Sequence, residues 1–321
     1  MKSHRTISQA IWQAINRAKD VLIFSHQKPD GDTLGANLAL TRFLKNLNKN
    51  VTSFCIDPLP LGLQFLPDSH CLTQDHLVFT KKYDLIIALD SGSLDYAGVR
   101  YLLTALPINY TLINIDHHAS NDHYGHINLV IHDASSTCEV IYRLLKDWQV
   151  TLDKEMATHL STGIITDTGG FRNNATGHLS LSAAADLYRQ GANLQQIMNQ
   201  TLNNRELKHL KLWGRTLERL QHVDQYQLVY TFVTQQDFLE CEISDGNIEG
   251  IANFLHILNE GKIILVLKED ADNMIKGSMR TTTDIDLAKI ATLLGGGGHK
   301  KASGFSLPGK LVYDNNKLRV I

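Results

Sequence analysis

No stretch of this sequence approaches the ~20 consecutive apolar residues that span a bilayer, so no membrane helix is expected. Cysteine is scarce. Cys55, Cys71, Cys138 and Cys241 are scattered without a Cys-x-x-Cys pair, which excludes a disulfide scaffold or a Cys-based zinc finger. Such thiols fit a reducing cytosol, and a cytoplasmic protein is expected. Residues Met1–Arg5 lead into an amphipathic pattern rather than a signal-peptide core. A surplus of positive charge is also missing. Lys and Arg number 31 against 33 Asp and Glu, a formal net charge of -2. Proteins that coat long nucleic acid neutralise many phosphates and are usually basic. A long duplex is therefore not an expected partner, and a nucleic-acid substrate would be short or held locally. Internal repeats and low-complexity tracts are absent too.

What is present is a foldable chain of 321 residues, 43% hydrophobic and 20% charged. At roughly 150 residues per domain, about two domains are expected. Ile7–Ala18 and Leu34–Leu47 carry apolar residues at helical spacing. Val21–Phe24, Val51–Ile56, Leu85–Leu89 and Thr111–Ile115 are short apolar runs that read as buried strands. Strands of this kind separated by helices predict an α/β domain with a mostly parallel sheet covered on both faces. Ser136-x-x-Glu139 has the form of a capping box opening a helix. Further helices are expected over Met156–Ile165 and Leu179–Tyr188, with Gly191 as a C-terminal cap. Leu194–Leu220 reads as a helical connector. A smaller α/β unit should follow, with strands at Tyr226–Val233, Lys262–Leu267 and Met274–Met279 and helices at Ile248–Leu258 and Ile285–Leu294. The expected division is 1–195, a linker over 196–225, and 226–321.

The chain carries 15 histidines, and some stand among carboxylates. Four clusters follow apolar segments: His26 with Asp30 and Asp32, Asp90, Asp116-His117-His118, and Asp167. Any one of them alone reads as a turn or a helix cap. Together they would meet beyond the carboxyl ends of the strands, where α/β sheets bind ligands. Converging carboxylates repel one another unless a cation lies between them. Oxygen donors mixed with imidazole suit Mn²⁺ or a similar ion. A second signature is Gly295-Gly296-Gly297-Gly298-His299-Lys300-Lys301, preceded by Ser278 and Arg280. Successive glycines can present backbone N–H groups to an anion, and Arg280 can grip a phosphate bidentately.

His26-x-x-x-Asp30-x-Asp32, Asp90, Asp116-His117-His118 and Asp167 resemble the four motifs of the DHH phosphoesterase superfamily. The Gly295–Gly304 stretch resembles the signature of its DHH-associated C-terminal domain. The length resembles the branch of oligoribonucleases that also act as phosphatases on 3′-phosphoadenosine 5′-phosphate (pAp). That resemblance implies a hydrolase of short RNA and pAp using two Mn²⁺, with Mg²⁺ or Co²⁺ as alternatives. It implies one ion on His26, Asp30 and Asp90, and another on Asp32, Asp90, His117 and Asp167. Asp116 would then orient imidazole, and His118 would face the scissile phosphate. Arg280, Ser278, Gly296, Gly297, Gly298, His299 and Arg172 would hold the substrate. Asn173–Thr176 and Ser303 depart from the family's usual residues without touching an implied ligand. Two alternatives stay open: a phosphodiesterase of pApA or cyclic di-AMP, and a catalytically silent nucleotide-binding module. Every implied ligand is present, which disfavours the silent module. The sequence leaves oligomeric state open, a homodimer included.

Overall fold

The structure is a computed structural model describing residues 4–321 except 108, 204–205, 244–247, 249, 256–257, 259, 271 and 315–316, and except the side chains of 253, 299 and 317. The chain divides into two compact units, Met1–Asn204 and Arg205–Ile321.

The first unit is built on six parallel strands: β1 (Asp20–Ser25), β2 (Asn50–Phe54), β3 (Leu72–Thr73), β4 (Leu85–Leu89), β5 (Thr111–Asp116) and β6 (Ile127–Val130). Their order is β3-β2-β1-β4-β5-β6. The strands read as unbroken apolar runs because both faces are covered. Val21 and Ile23 enter one core with Leu85, Ile87 and Leu89, while Leu22 and Phe24 enter the opposite core with Ile86 and Ala88. The helices are α1 (His4–Arg17), α2 (Gly31–Asn46), α3 (Arg100–Leu103), α4 (Thr137–Asp147), α5 (Lys154–Asp167), α6 (His178–Arg189) and α7 (Leu194–Thr201). Between β1 and β4 the strand order reverses direction. The connections leaving those two strands run to opposite sides, and the carboxyl edge at such a switch point is where α/β sheets bind ligands.

Two helices, α2 and α5, pack closely together. Gly31 and Gly35 of α2 lie against α5, and a Cβ on Gly31 would meet Thr166 Oγ1 at 2.4 Å and one on Gly35 the His159 carbonyl at 2.4 Å. A Cβ on Gly163 of α5 would fall 2.5 Å from Asp32 Oδ1. This close packing brings the end of α5 to the start of α2.

The second unit has the strand order β11-β12-β10-β9-β8-β7. The strands are β7 (Gln221–Val223), β8 (Leu228–Val233), β9 (Ile263–Glu269), β10 (Met274–Arg280), β11 (Gly297–His299) and β12 (Ala302–Pro308). Pairing is antiparallel except between β8 and β9. A separate hairpin joins β13 (Leu311–Asp314) to β14 (Lys317–Val320). The helices are α8 (Leu207–Glu218), α9 (Gln235–Glu240), α10 (Ile251–Phe254) and α11 (Leu287–Leu293). Phe232, Ile275, Met279, Leu287, Ala291 and Phe305 form its core.

The α/β class and the parallel sheet agree with the sequence reading, and several details differ. The stretch expected as one connector holds two helices, with α7 in the first unit and α8 in the second. The helix expected over Ile248–Leu258 is a single turn at Ile251–Phe254, and residues 249, 256 and 257 lie outside the described ones. Ser136 caps α4 by accepting from the Glu139 amide, but the Glu139 carboxylate turns to the amide and hydroxyl of Ser135 instead of closing a capping box.

Candidate active site

β1 ends at Ser25, and His26 follows almost wholly buried. Its Nδ1 faces the Gln27 carbonyl at 2.5 Å, and its Nε2 meets the Thr33 hydroxyl and lies 3.4 Å from Asp90 Oδ2. Asp30 caps α2, Oδ1 accepting from the amides of Asp32 and Thr33 at 3.0 Å each. Asp32, in the first turn of α2, is 1% exposed. Its oxygens accept from the amides of Thr137 at 2.6 Å and Cys138 at 2.8 Å, at the amino end of α4.

Asp90 stands directly after β4 at φ +53, a left-handed conformation uncommon for a side-chain-bearing residue. The Thr33 hydroxyl donates to Oδ2 at 2.8 Å and the Thr137 hydroxyl to Oδ1 at 2.9 Å. His117 Nε2 is 3.8 Å and His118 Nδ1 3.7 Å from Oδ1. Asp90 thus lies between the group holding His26 and the group holding His117.

β5 delivers Asp116-His117-His118. Asp116 is fully buried, and both its oxygens are engaged. Oδ1 accepts from the amides of His117 and His118 and faces His118 Nδ1 at 2.7 Å, while Oδ2 accepts from Asn121 Nδ2 at 2.6 Å. His117 sets Nδ1 against the Ala134 carbonyl at 3.3 Å and turns Nε2 to Asp167 at 3.4 Å and Asp32 at 4.0 Å. That is the orientation of an imidazole offering its lone pair to an ion while the other nitrogen is fixed by backbone. Asp167 is the last residue of helix α5, so the fourth cluster follows a helix where the others follow strands.

The electrostatics are those of crowded, buried carboxylates only partly paired with imidazoles. Burial, then the charges of Asp90 and Asp30, holds the Asp32 carboxyl well above the usual range. Burial, then Asp32, Asp30 and Asp90, does the same to Asp167. Burial also opposes the charge on Asp90, but the His26 hydrogen bond and the nearby imidazoles outweigh it and hold that carboxyl low. His117 is pushed down by burial, towards the neutral form a ligand needs. His26 and His118 are pushed up to about 9, because pairing with Asp90 and with Asp116 overcomes the burial that would lower them.

Ligand atoms of His26, Asp30 and Asp90 lie within 4.8 Å of one another, as do those of Asp32, His117 and Asp167, and those of Asp90, His117 and His118. These oxygen and imidazole donors could hold divalent cations, with Asp90 common to two groups, and the crowding of Asp32, Asp90 and Asp167 fits such ions.

Arg172 is exposed, its Nε donating to the Gly169 carbonyl at 2.9 Å. The other expected substrate contacts stand in the second unit. Ser278 and Arg280 are on β10, and Arg280 is partly buried with Nη1 on its neighbour's carbonyl. The glycine run, read from the sequence as an anion nest, has part of its backbone engaged within its own unit. Gly295 and Gly296 spend their amides closing α11, on the carbonyls of Thr292 at 3.1 Å and Ala291 at 2.8 Å. Gly297 and Gly298 belong to β11 opposite Gly304 and Ser303. Gly298 is required there, since at φ +136 a Cβ would lie 2.7 Å from the Ala302 carbonyl, whereas Gly297 faces open space. His299 ends β11, and its side chain lies outside the described residues.

Thr33, Thr137 and Asn121 were not foreseen. Thr33 adjoins Asp32 in sequence, which was the one available signal. Tyr96 also stands at the site, its ring 4.9 Å from that of His26.

Residues 20–164 match the N-terminal domain of the DHH family, and residues 225–318 match the DHHA1 domain. The chain belongs to the DHH family and is a phosphoesterase of that family. It is similar to the bifunctional oligoribonuclease and PAP phosphatase NrnA of Thermus thermophilus, 31% identical over 90% of this chain and 84% of that one. NrnA of Mycoplasma genitalium is 28% identical over 95% of this chain and 93% of its own. The crystal structure of an exopolyphosphatase-related protein from Bacteroides fragilis matches at TM-score 0.89 and 26% identity, covering 95% of this chain and 92% of that chain. Among the described residues no helix is long and apolar enough to cross a membrane.

Proposed function

We propose that this protein hydrolyses short oligoribonucleotides to mononucleotides, and pAp to AMP, with two Mn²⁺ ions at the Asp/His cluster. The carrying observation is the position of Asp90, within reach of His26 on one side and His117 on the other. In this reading His26, Asp30 and Asp90 hold one ion, and Asp32, Asp90, His117 and Asp167 hold the second. Paired ions of this kind supply a nucleophile from water at neutral pH and offset charge on the phosphoryl oxygens. The chain's own part is orientation and charge. Thr33 and Thr137 fix the rotamer of Asp90, and the Ala134 carbonyl fixes the tautomer of His117. His118, its Nδ1 held on Asp116, is oriented to offer its other ring nitrogen to a phosphate oxygen.

Arg280, Ser278 and the Gly296–His299 segment bind a second phosphate or nucleotide end in this reading, with Arg172 as a further contact. Support for short RNA and pAp comes from the near-full-length resemblance to the NrnA proteins and from the absence of a basic surplus.

The test is a hydrolysis panel with Mn²⁺: pAp, RNA of two to five nucleotides, pApA, cyclic di-AMP and pyrophosphate. Turnover of short RNA and pAp is expected. Asp90→Ala should lower kcat by several orders of magnitude with the fold retained, since it removes the shared carboxylate. Near-normal turnover in that variant would overturn the mechanism, and turnover confined to cyclic di-AMP or pyrophosphate would overturn the substrate assignment.

A further inference from the structure

A second, chemically different set of donors lies in the segment joining β2 to β3. Asp68, at φ +57, turns the chain into a single 3₁₀ turn, Ser69–Cys71, and the Cys71 amide closes it on the Asp68 carbonyl at 2.8 Å. The turn gathers three unlike side chains. Ligand atoms of Asp68, His70 and Cys71 all lie within 4.8 Å of one another. Asp68 and Cys71 are partly exposed and His70 is exposed, so an ion can enter from solvent.

We propose that Asp68, His70 and Cys71 form a mononuclear Zn²⁺ site, separate from the Asp/His cluster and independent of the function proposed above. The spacing supports it. Cys71 Sγ and His70 Nε2 are 3.6 Å apart. A tetrahedral Zn²⁺ with Zn–S of about 2.3 Å and Zn–N of about 2.0–2.1 Å sets its sulfur and nitrogen ligands roughly 3.6 Å apart. The pair is thus already at ligand separation before any ion arrives. Asp68 completes the set. Arg42 donates one hydrogen bond to the carboxylate, at Oδ2 and 2.7 Å, and a carboxylate has lone pairs to spare for an ion.

The donor types choose the metal. Thiolate with imidazole and one carboxylate suits Zn²⁺, whereas Mn²⁺ favours sites richer in oxygen. Three protein ligands leave the fourth corner of the tetrahedron to water. Binding converts the Cys71 thiol and Zn²⁺ to a zinc thiolate and one proton released to solvent. Lys45 Nζ, 3.1 Å from Sγ, must swing away, and its exposed, flexible stem permits that. Arg42 and Lys45 leave positive charge beside the ion, so the geometry points to an exchangeable ion more than a permanent one.

Cobalt reports the site, because Co²⁺ takes the same geometry and a thiolate ligand adds a charge-transfer band in the near ultraviolet. Full-length reduced protein titrated with Co²⁺ should develop that band to a saturating intensity of one thiolate-bound ion per chain, and the band should vanish when Zn²⁺ is added. Cys71→Ser should abolish it, and His70→Gln should weaken Co²⁺ binding by at least about tenfold. Asp90→Ala should leave it intact, since the Asp/His cluster supplies no sulfur ligand. A second measurement needs no variant: Zn²⁺ should slow alkylation of Cys71 by iodoacetamide, read by peptide mass spectrometry. Absence of the band, its survival in Cys71→Ser, or alkylation indifferent to Zn²⁺ would overturn the assignment.

Discussion

At the scale of single residues, the site depends on a hydroxyl that carries no charge. Thr33 Oγ1 meets His26, Asp30 Oδ1 and Asp90 Oδ2, three of the groups proposed to bind an ion. Thr33→Val keeps the shape and removes these contacts. We expect a 10- to 100-fold loss of kcat/KM, roughly the cost of deleting an outer partner of a metal ligand, with a higher Mn²⁺ requirement. Thr33→Ser should restore most of the activity, and a mutant curve matching wild type at limiting Mn²⁺ would dismiss the role. The acidic and imidazole residues were legible in sequence because they stand in short runs at segment ends. Thr33, Thr137 and Asn121 were not. Threonine and asparagine are common everywhere, and what distinguishes Thr137 is a partner 47 positions away. The resemblance carried the two-ion grouping, which spacing alone left open.

At the scale of elements, the junction of α2 and α5 matters most. A Cβ on Gly163 would lie 2.3 Å from Cys138 Sγ and 2.5 Å from Asp32 Oδ1. Gly163→Ala should therefore cost about 1–3 kcal/mol of stability, the usual penalty of overpacking, and disturb Asp32 as well. Activity should fall at temperatures where the variant is still folded. Gly214 of α8 is the contrast, because a Cβ there meets nothing within 4 Å. Gly214→Ala should be neutral or stabilising by up to about 1 kcal/mol, as in any open helical position. Thermal unfolding and kcat of the two variants check both expectations. The strongest elements were plain in sequence: Leu85–Leu89 is β4 itself, because burial on both faces leaves no room for a polar residue. The edge strands β3 and β6, and β13 and β14, were missed. β3 has two residues and β6 has only Leu129 buried, so neither carries a run long enough to register. β11 was hidden for a different reason, since glycine-rich sequence argues against a strand unless the neighbour's close approach is known.

At the scale of the whole molecule, stability against acid has a specific source. His159, inside α5, is completely buried. Its Nε2 pairs with the Pro67 carbonyl at 2.8 Å, and among the described residues Nδ1 finds no partner. Burial pushes its pKa down to about 4, against about 6.5 in an unfolded chain. Between those values the unfolded state binds more protons, so stability is lost as pH falls from about 6.5 towards 4, by up to ~1.4 kcal/mol per pH unit. Above that window the group contributes no pH dependence. His159→Gln keeps a donor for Pro67 and cannot titrate. Denaturant melts of wild type and variant from pH 7 to 4.5 should show the wild-type slope exceeding that of the variant. Parallel curves would mean that another group accounts for the acid sensitivity.

The strand order carries a consequence in time. β1 lies at the centre of its sheet, and its neighbour β4 begins only at Leu85. His26 leaves the ribosome early, and Asp167 closes the donor set from the far end of α5. At 5–20 residues per second, the interval between their synthesis is roughly 7–28 s. During that interval Asp90 and then His117 join His26, Asp30 and Asp32, and Asp167 comes last. Asp32, Asp90, His117 and Asp167 are therefore brought together only when α5 docks, whereas His26, Asp30 and Asp90 are all synthesised once the residue after β4 is made.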